Sequence, residues 1–176
     1  MSIPPNSKSK APLTSHFSLL MKPPLTTDEA LAKLEYFCAY RERCPKEVRA
    51  KLASLGVPRK DAEQIYEVLQ TDGFFDEERF AMAYAGGKFR VNHWGKVRIR
   101  MELRMRNIAA DLIEKAIDSI DEEAYTALLQ QLFDKKRRHY EGEEQARDKT
   151  AAALIRAGFE MELVFALVSR EWYRSL

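Results

Sequence analysis

Apolar positions recur along this chain with helical spacing and, from Thr26 onward, with a longer period of 51 residues. In each period a leucine lies four residues before a glycine or asparagine that an apolar residue follows: Leu52–Val57, Leu103–Ile108 and Leu154–Phe159. Downstream apolar positions stay in phase in sets of three: Ala62, Ile113, Val164; Ile65, Ala116, Leu167; Tyr66, Ile117, Val168. Agreement at so many offsets indicates an internal repeat.

Each repeat has the pattern of three short helices. In the first helix the apolar positions are Leu31, Leu34, Tyr36 and Phe37. Gly56 and Asn107 suit the left-handed residue that closes a helix. The sequence therefore predicts an all-α fold of nine helices without a β-sheet, in an elongated array of three tandem three-helix repeats. The predicted units are 26–74, 75–120 and 121–176.

A different composition marks residues 1–25, which hold five of the seven prolines and no acidic residue. Prolines at this density exclude a long helix. We therefore expect a flexible, proline-rich N-terminal tail.

One stretch, 96–106, argues against the helical interpretation because its apolar and charged residues alternate as in a half-exposed strand. The repeat sets it against 47–52, which lacks that alternation, and its Met, Glu, Leu, Lys and Arg residues favour helix. As a helix it has three stripes: Ile99 with Leu103; Val97, Met101 and Met105; and Lys96, Arg100 and Arg104.

Charge is concentrated in the same region. The whole chain is nearly balanced, with 29 basic and 27 acidic residues, yet 88–106 carries seven basic residues against Glu102 alone, a local charge of +6. These basic residues are Lys88, Arg90, Lys96, Arg98, Arg100, Arg104 and Arg106. A solvated helix face with Arg98 paired to Glu102 is the simpler alternative. Uncompensated like charges repel one another, so we favour contact with a polyanion or an acidic protein.

Weaker candidates lie outside that set. Lys135, Lys136, Arg137 and Arg138 form a basic run, but acidic residues on both sides make it more typical of a balanced helix end than of a contact surface. Trp94, inside the basic segment, suits either a core lid or a contact residue that stacks on bases. We expect secondary contacts from these five residues at most.

Catalytic chemistry has no signature here. The three histidines lack partners at metal-ligand spacing, Cys38 and Cys44 do not form a zinc half-site, and phosphate-loop and nucleophile-elbow motifs are absent. No membrane span or secretory signal is recognisable. We expect a cytoplasmic protein that is not an enzyme and needs no metal or cofactor.

Two motifs resemble a known family. Asp76–Ala81 with Tyr84, and Gly95–Leu103, are similar to the acidic-x-R-F-A and G-x-x-R-I-x-x-E-L signatures of the RecX family of recombination regulators, and the likeness extends over residues 27–173. It implies a curved all-helical monomer that lodges in the groove of the RecA filament on DNA. Such a protein inhibits strand exchange and ATP turnover by RecA, in homologous recombination, DNA repair and the SOS response.

Within that role, we expect Lys88, Arg90, Lys96, Arg100 and Arg104 to contact single- or double-stranded DNA, weakly or through RecA, or an acidic RecA surface, because they look uncompensated. Arg98 either joins them or, with Glu102, holds the helix in place. Two other classes of protein stay open. One is a helix-turn-helix-like protein that binds DNA without RecA. The other is a structural adaptor, which would not need the +6 segment.

Overall fold

The computed structural model describes residues 25–172, and every regular element in that range is an α-helix. Nearly all of the predicted tail, residues 1–24, lies outside the described residues, as do 173–176. The three helices of each period together form one unit, and we call these the first, second and third units in chain order. They are α1 Thr27–Tyr40, α2 Pro45–Ser54 and α3 Arg59–Thr71; α4 Glu77–Asn92, α5 Lys96–Arg104 and α6 Ala110–Asp118; and α7 Glu122–His139, α8 Ala146–Ala157 and α9 Met161–Glu171.

The tandem arrangement is confirmed by which helices touch. All the extensive helix–helix contacts join helices of the same unit. Repeat positions are also structurally equivalent: Leu52, Leu103 and Leu154 are all buried, and so are Val48, Ile99 and Thr150, four residues earlier. Each unit therefore builds its core from the same places in the period.

Left-handed residues end the middle helix of every unit. The φ angles of Gly56, Asn107 and Gly158 are 70°, 60° and 97°, so Asn107 adopts the conformation that glycine adopts in the other two units. Asparagine tolerates this region better than most residues with a Cβ atom. The chain turns there into the third helix of each unit, at Pro58, Ala109 and Glu160.

The alternating stretch 96–106 is helical, as its place in the repeat predicts. Ile99 and Leu103 are fully buried on one side of α5. Packing of this side against the core decides between helix and strand, since the alternation itself favours a strand.

Two hydrophobic cores divide the molecule unevenly. One belongs to the first unit, with Leu34, Val48 and Leu69 at its centre. The other is continuous through the second and third units, from Phe80 to Val168. Cys44, in the loop between α1 and α2, belongs to this larger core and so attaches the first unit to the second.

Candidate functional site

The basic helix α5 is held by close backbone contact with the third unit. Gly95 N–H donates to the carbonyl of Ala157 at 2.9 Å, and Val97 N–H donates to that of Gly158 at 3.0 Å. A Cβ atom on Gly95 would lie 2.1 Å from the Gly158 oxygen, well inside contact distance. Only glycine fits at the start of α5, which explains why the signature motif begins with Gly95.

A buried tyrosine completes this joint. The hydroxyl of Tyr125 accepts from the backbone N–H of Lys96 at 3.0 Å and donates to a carboxylate oxygen of Glu160 at 2.6 Å. Its ring lies between Phe89 and Phe159 in the core. Burial, together with the Glu160 carboxylate, raises the pKa of Tyr125, so the phenol stays protonated and keeps donating.

Three of the seven predicted contact residues are neutralised inside the molecule. Lys96 pairs with Glu122 at 2.5 Å, and Arg106 pairs with Glu102 at 2.6 Å. Arg100 makes a two-pronged contact with Glu114, in which both distances are 2.8 Å. The expectation that Lys96 and Arg100 are uncompensated was therefore wrong, because α6 and α7 supply their carboxylates.

The carboxylate pKa values follow this pairing. The hydrogen bond from Arg106 holds the pKa of Glu102 below its usual range, and that from Arg100 lowers the pKa of Glu114. The alternative pairing of Arg98 with Glu102 is not what the structure contains, since the ion-pair partner of Glu102 is Arg106. Glu102 also accepts a long hydrogen bond from the Tyr84 hydroxyl at 3.4 Å.

The other four basic residues of 88–106 have no carboxylate within ion-pair distance among residues 25–172: Lys88, Arg90, Arg98 and Arg104. Arg90 and Arg104 are exposed, whereas Lys88 and Arg98 are half-buried. These four residues, which we call the free cations, hold the positive charge of 88–106 that no carboxylate neutralises.

Trp94 organises two of them. The guanidinium carbon of Arg98 lies 3.9 Å from the centre of a Trp94 ring, and the Lys88 ammonium lies 4.8 Å from it. Lys88 is also 5.3 Å from the Tyr84 ring, over which Arg106 stacks at 4.6 Å. Trp94 is half-buried and packs against the larger core. Trp94 thus positions two cations. The sequence suggested a core lid or a residue that stacks on bases, and did not indicate this third role.

The secondary basic run lies elsewhere, at the end of α7. Arg138 donates to the carbonyl of Asp134 at 3.3 Å, and Arg137 reaches the carbonyl of Glu171, at the end of α9, at 3.5 Å. Cations in a last helical turn interact favourably with the helix dipole. Lys135 and Arg138 are exposed, whereas Lys136 and Arg137 are half-buried.

Some exposed features escaped the sequence reasoning. Tyr36 and Tyr40 are each 77% exposed and line a groove of about 750 Å³ on α1, although the helical pattern placed Tyr36 among the apolar positions. Phe37, the third aromatic of this groove, lies under Arg43 at 3.7 Å. Apolar spacing alone does not reveal which side of a short helix meets solvent.

Two further kinds of feature, a metal site and a membrane span, have no counterpart among the residues that the structure describes. Within residues 25–172, no group of three or more His, Cys, Asp or Glu side chains is arranged to hold a metal ion. No helix in the same range is long and apolar enough to cross a bilayer. Cys38 and Cys44 are buried free thiols whose pKa values are raised by burial.

Comparison with known proteins places this arrangement in a family. A protein named Regulatory protein RecX from Mycolicibacterium vanbaalenii is 30% identical over 139 residues, which are 74% of this chain and 76% of that protein. The chain belongs to the RecX family. The family model described as the second three-helix domain of RecX matches residues 76–117, which span α4, α5 and most of α6.

Other RecX relatives differ in length. Regulatory protein RecX of Prosthecochloris aestuarii is 29% identical over 141 residues, covering 78% of this chain and 90% of that protein. That of Geobacillus kaustophilus is 27% identical over 136 residues, 76% of this chain but 51% of its own. The chain thus spans about half the length of the Geobacillus relative.

Solved RecX structures share the fold. A crystal structure of regulatory protein RecX superposes with a TM-score of 0.72 at 22% identity, over 82% of this chain and 74% of the other. The structure of RecX from Lactobacillus salivarius gives 0.74 at 18% identity, over 82% and 95%. At these identities the match concerns the fold, and it agrees with the tandem helical repeats.

Proposed function

We propose that this protein binds the RecA filament on DNA and inhibits strand exchange and ATP hydrolysis by RecA. Membership of the RecX family, whose relatives are named regulatory proteins, supports a regulatory role. The single observation that carries the proposal is the set of free cations on α4 and α5, inside the segment that the family model matches. We further propose that it acts as a cytoplasmic monomer without catalysis or cofactor, and that its units are 26–74, 75–120 and 121–176.

The free cations give the proposal a measurable consequence. Each cation that neutralises a phosphate of single-stranded DNA contributes about −0.7 to the slope of log K against log salt. If all four free cations meet phosphates, the slope is about −3, and it is shallower where some of them meet an acidic protein surface instead; all seven basic residues of the segment would give about −5. Cations already paired to glutamates release few counterions on binding.

Co-sedimentation with RecA filaments preformed on single-stranded DNA tests the proposal. We expect the protein to pellet with filaments and to bind the same DNA without RecA far more weakly. Equal affinity for bare DNA and filament would favour the RecA-independent DNA-binding alternative. Absence of binding to filaments at low salt would overturn the proposal.

A further inference from the structure

The side of α5 that faces solvent carries three apolar residues. Val97 and Met101 on α5 and Met105, the cap residue directly after it, are spaced four residues apart and are 46%, 53% and 57% exposed. At 100° per residue they lie opposite Ile99 and Leu103, which fill the core. We call these three residues the α5 stripe. The α5 stripe therefore lies on the solvent side of the helix, away from the core.

The repeat supplies an internal comparison. The equivalent positions are Lys46, Ala50 and Ser54 in the first unit and Asp148, Ala152 and Arg156 in the third. Neither set contains a large apolar residue, although all three helices pack their opposite sides in the same way. Because two units fold with small or polar residues at these positions, the fold does not require the α5 stripe.

Free guanidinium groups border the stripe. On the helical projection Arg98 lies on one flank and Arg104 on the other, and both belong to the free cations. The adjoining Lys96, Arg100 and Arg106 are held by glutamates. The outward face of α5 is therefore an apolar strip between two unpaired cations, with the other charges neutralised.

We infer that the α5 stripe is a docking surface for a protein, and that the partner offers an apolar groove bordered by carboxylates. We rest this assignment on the proposed function and assign the groove to a RecA protomer of the filament. Thioether and valine side chains make no favourable contact with phosphates, which supply most hydrogen bonds to DNA. Methionines adapt well to an apolar groove, and the flanking arginines match carboxylates on its rim.

Replacing the methionines by a polar residue of similar length tests the assignment. Met101→Gln with Met105→Gln keeps the charge and the helix propensity of α5. Met161→Gln, at a residue 54% exposed on α9, is the matched control. We expect the double variant to bind preformed RecA filaments at least ~10-fold more weakly with an unchanged salt slope, because it loses buried apolar contacts. The control should bind like the unsubstituted protein, and Arg104→Glu should weaken binding most at low salt.

Parallel measurements separate the other occupants. Equal loss of binding to bare single-stranded DNA would assign the stripe to nucleic acid, and a dimeric unsubstituted protein that the double variant makes monomeric would assign it to a second copy. Undiminished filament binding by the double variant, or an equal loss in the Met161→Gln control, also overturns the assignment. If the unsubstituted protein itself fails to bind filaments, the proposed function fails, which is a distinct result.

Discussion

Two glycines, Gly95 and Gly158, allow the start of α5 to lie directly against the end of α8. Gly95 has φ −75°, which any residue adopts, so its requirement is steric and comes from the backbone of Gly158. By contrast, Gly158 has a left-handed φ of 97° and also lies against the Cβ atom of Arg98. Close backbone approach fixes the start of α5 against the end of α8.

We therefore expect Gly95→Ala to destabilise the protein by about 2–3 kcal/mol, since backbone must move to admit the methyl group. Gly87→Ala is the matched control, because a Cβ atom there meets nothing within 4 Å and the residue lies inside α4. It should stabilise the protein by about 0.5–1 kcal/mol. Urea unfolding measures both, and a Gly95→Ala protein as stable as the original would disprove the contact.

The Glu102–Arg106 pair predicts a pH dependence at the residue scale. Glu102 has a lowered pKa in the folded protein, chiefly through Arg106, against an ordinary value of 4.5. The stabilisation of the fold by ionised Glu102 is therefore complete above pH 4.5. It is lost as the pH falls through the lower pKa that Glu102 has in the folded protein.

Glu102→Gln should cost about 0.5–1 kcal/mol at neutral pH and make the loss of unfolding free energy in acid shallower. Denaturant unfolding across the acid range gives both quantities. The control is Glu67→Gln, at an exposed residue on α3. If Glu102→Gln and Glu67→Gln had the same acid profile as the unsubstituted protein, the pair would contribute nothing.

Residue-scale prediction from the sequence succeeded where the signal is local. A glycine or asparagine after a helical pattern indicates a left-handed residue by itself, and Gly56 and Asn107 confirm it. Gly95 gave no such signal, because the atoms that exclude a side chain there belong to a residue 63 positions away in the chain, Gly158.

At the scale of the helix, ion pairing separates the free cations of α4 and α5 from the paired Lys96 and Arg100. Lys88→Gln with Arg90→Gln, at the two free cations on α4, should weaken filament binding and reduce its salt slope by about 1.4, since two cations that can meet phosphates are removed. Lys96→Gln with Arg100→Gln removes the same charge from the paired set. That variant should keep nearly the full slope and lose stability instead, and equal slopes in the two variants would refute the distinction.

Sequence and structure diverge most clearly in α5. Its helical state was predictable from the repeat, and its three stripes from periodicity. Which cations are free was not, because Glu114 and Glu122 belong to α6 and α7 and come near only through tertiary packing. Exposure of the α5 stripe also depends on which side of the helix the core takes.

For the molecule as a whole, two cores imply two levels of stability. The first unit has its own core and joins the second unit at Cys44, through the Arg79–Glu42 ion pair of 2.7 Å, and through Lys46, which donates to the carbonyl of Met105 at 3.0 Å. The second and third units share one core. Periodicity predicts three similar units but contains no information on which neighbouring units share a hydrophobic core.

Leu34→Ala, at a fully buried residue of α1, should therefore lower protection from hydrogen exchange in α1–α3 much more than in α4–α9. The expected cost within the first unit is about 2–5 kcal/mol. Native-state hydrogen exchange resolves the two regions, and an equal loss of protection in α4–α9 would mean that the whole chain unfolds as one cooperative body.

The most direct test of the central claim is the steady-state ATPase rate of RecA on single-stranded DNA, titrated with this protein at two salt concentrations. We predict that the rate falls to a low plateau as the protein is added, and that higher salt shifts the midpoint to higher protein concentration. An ATPase rate unaffected by the protein at both salt concentrations would contradict the account.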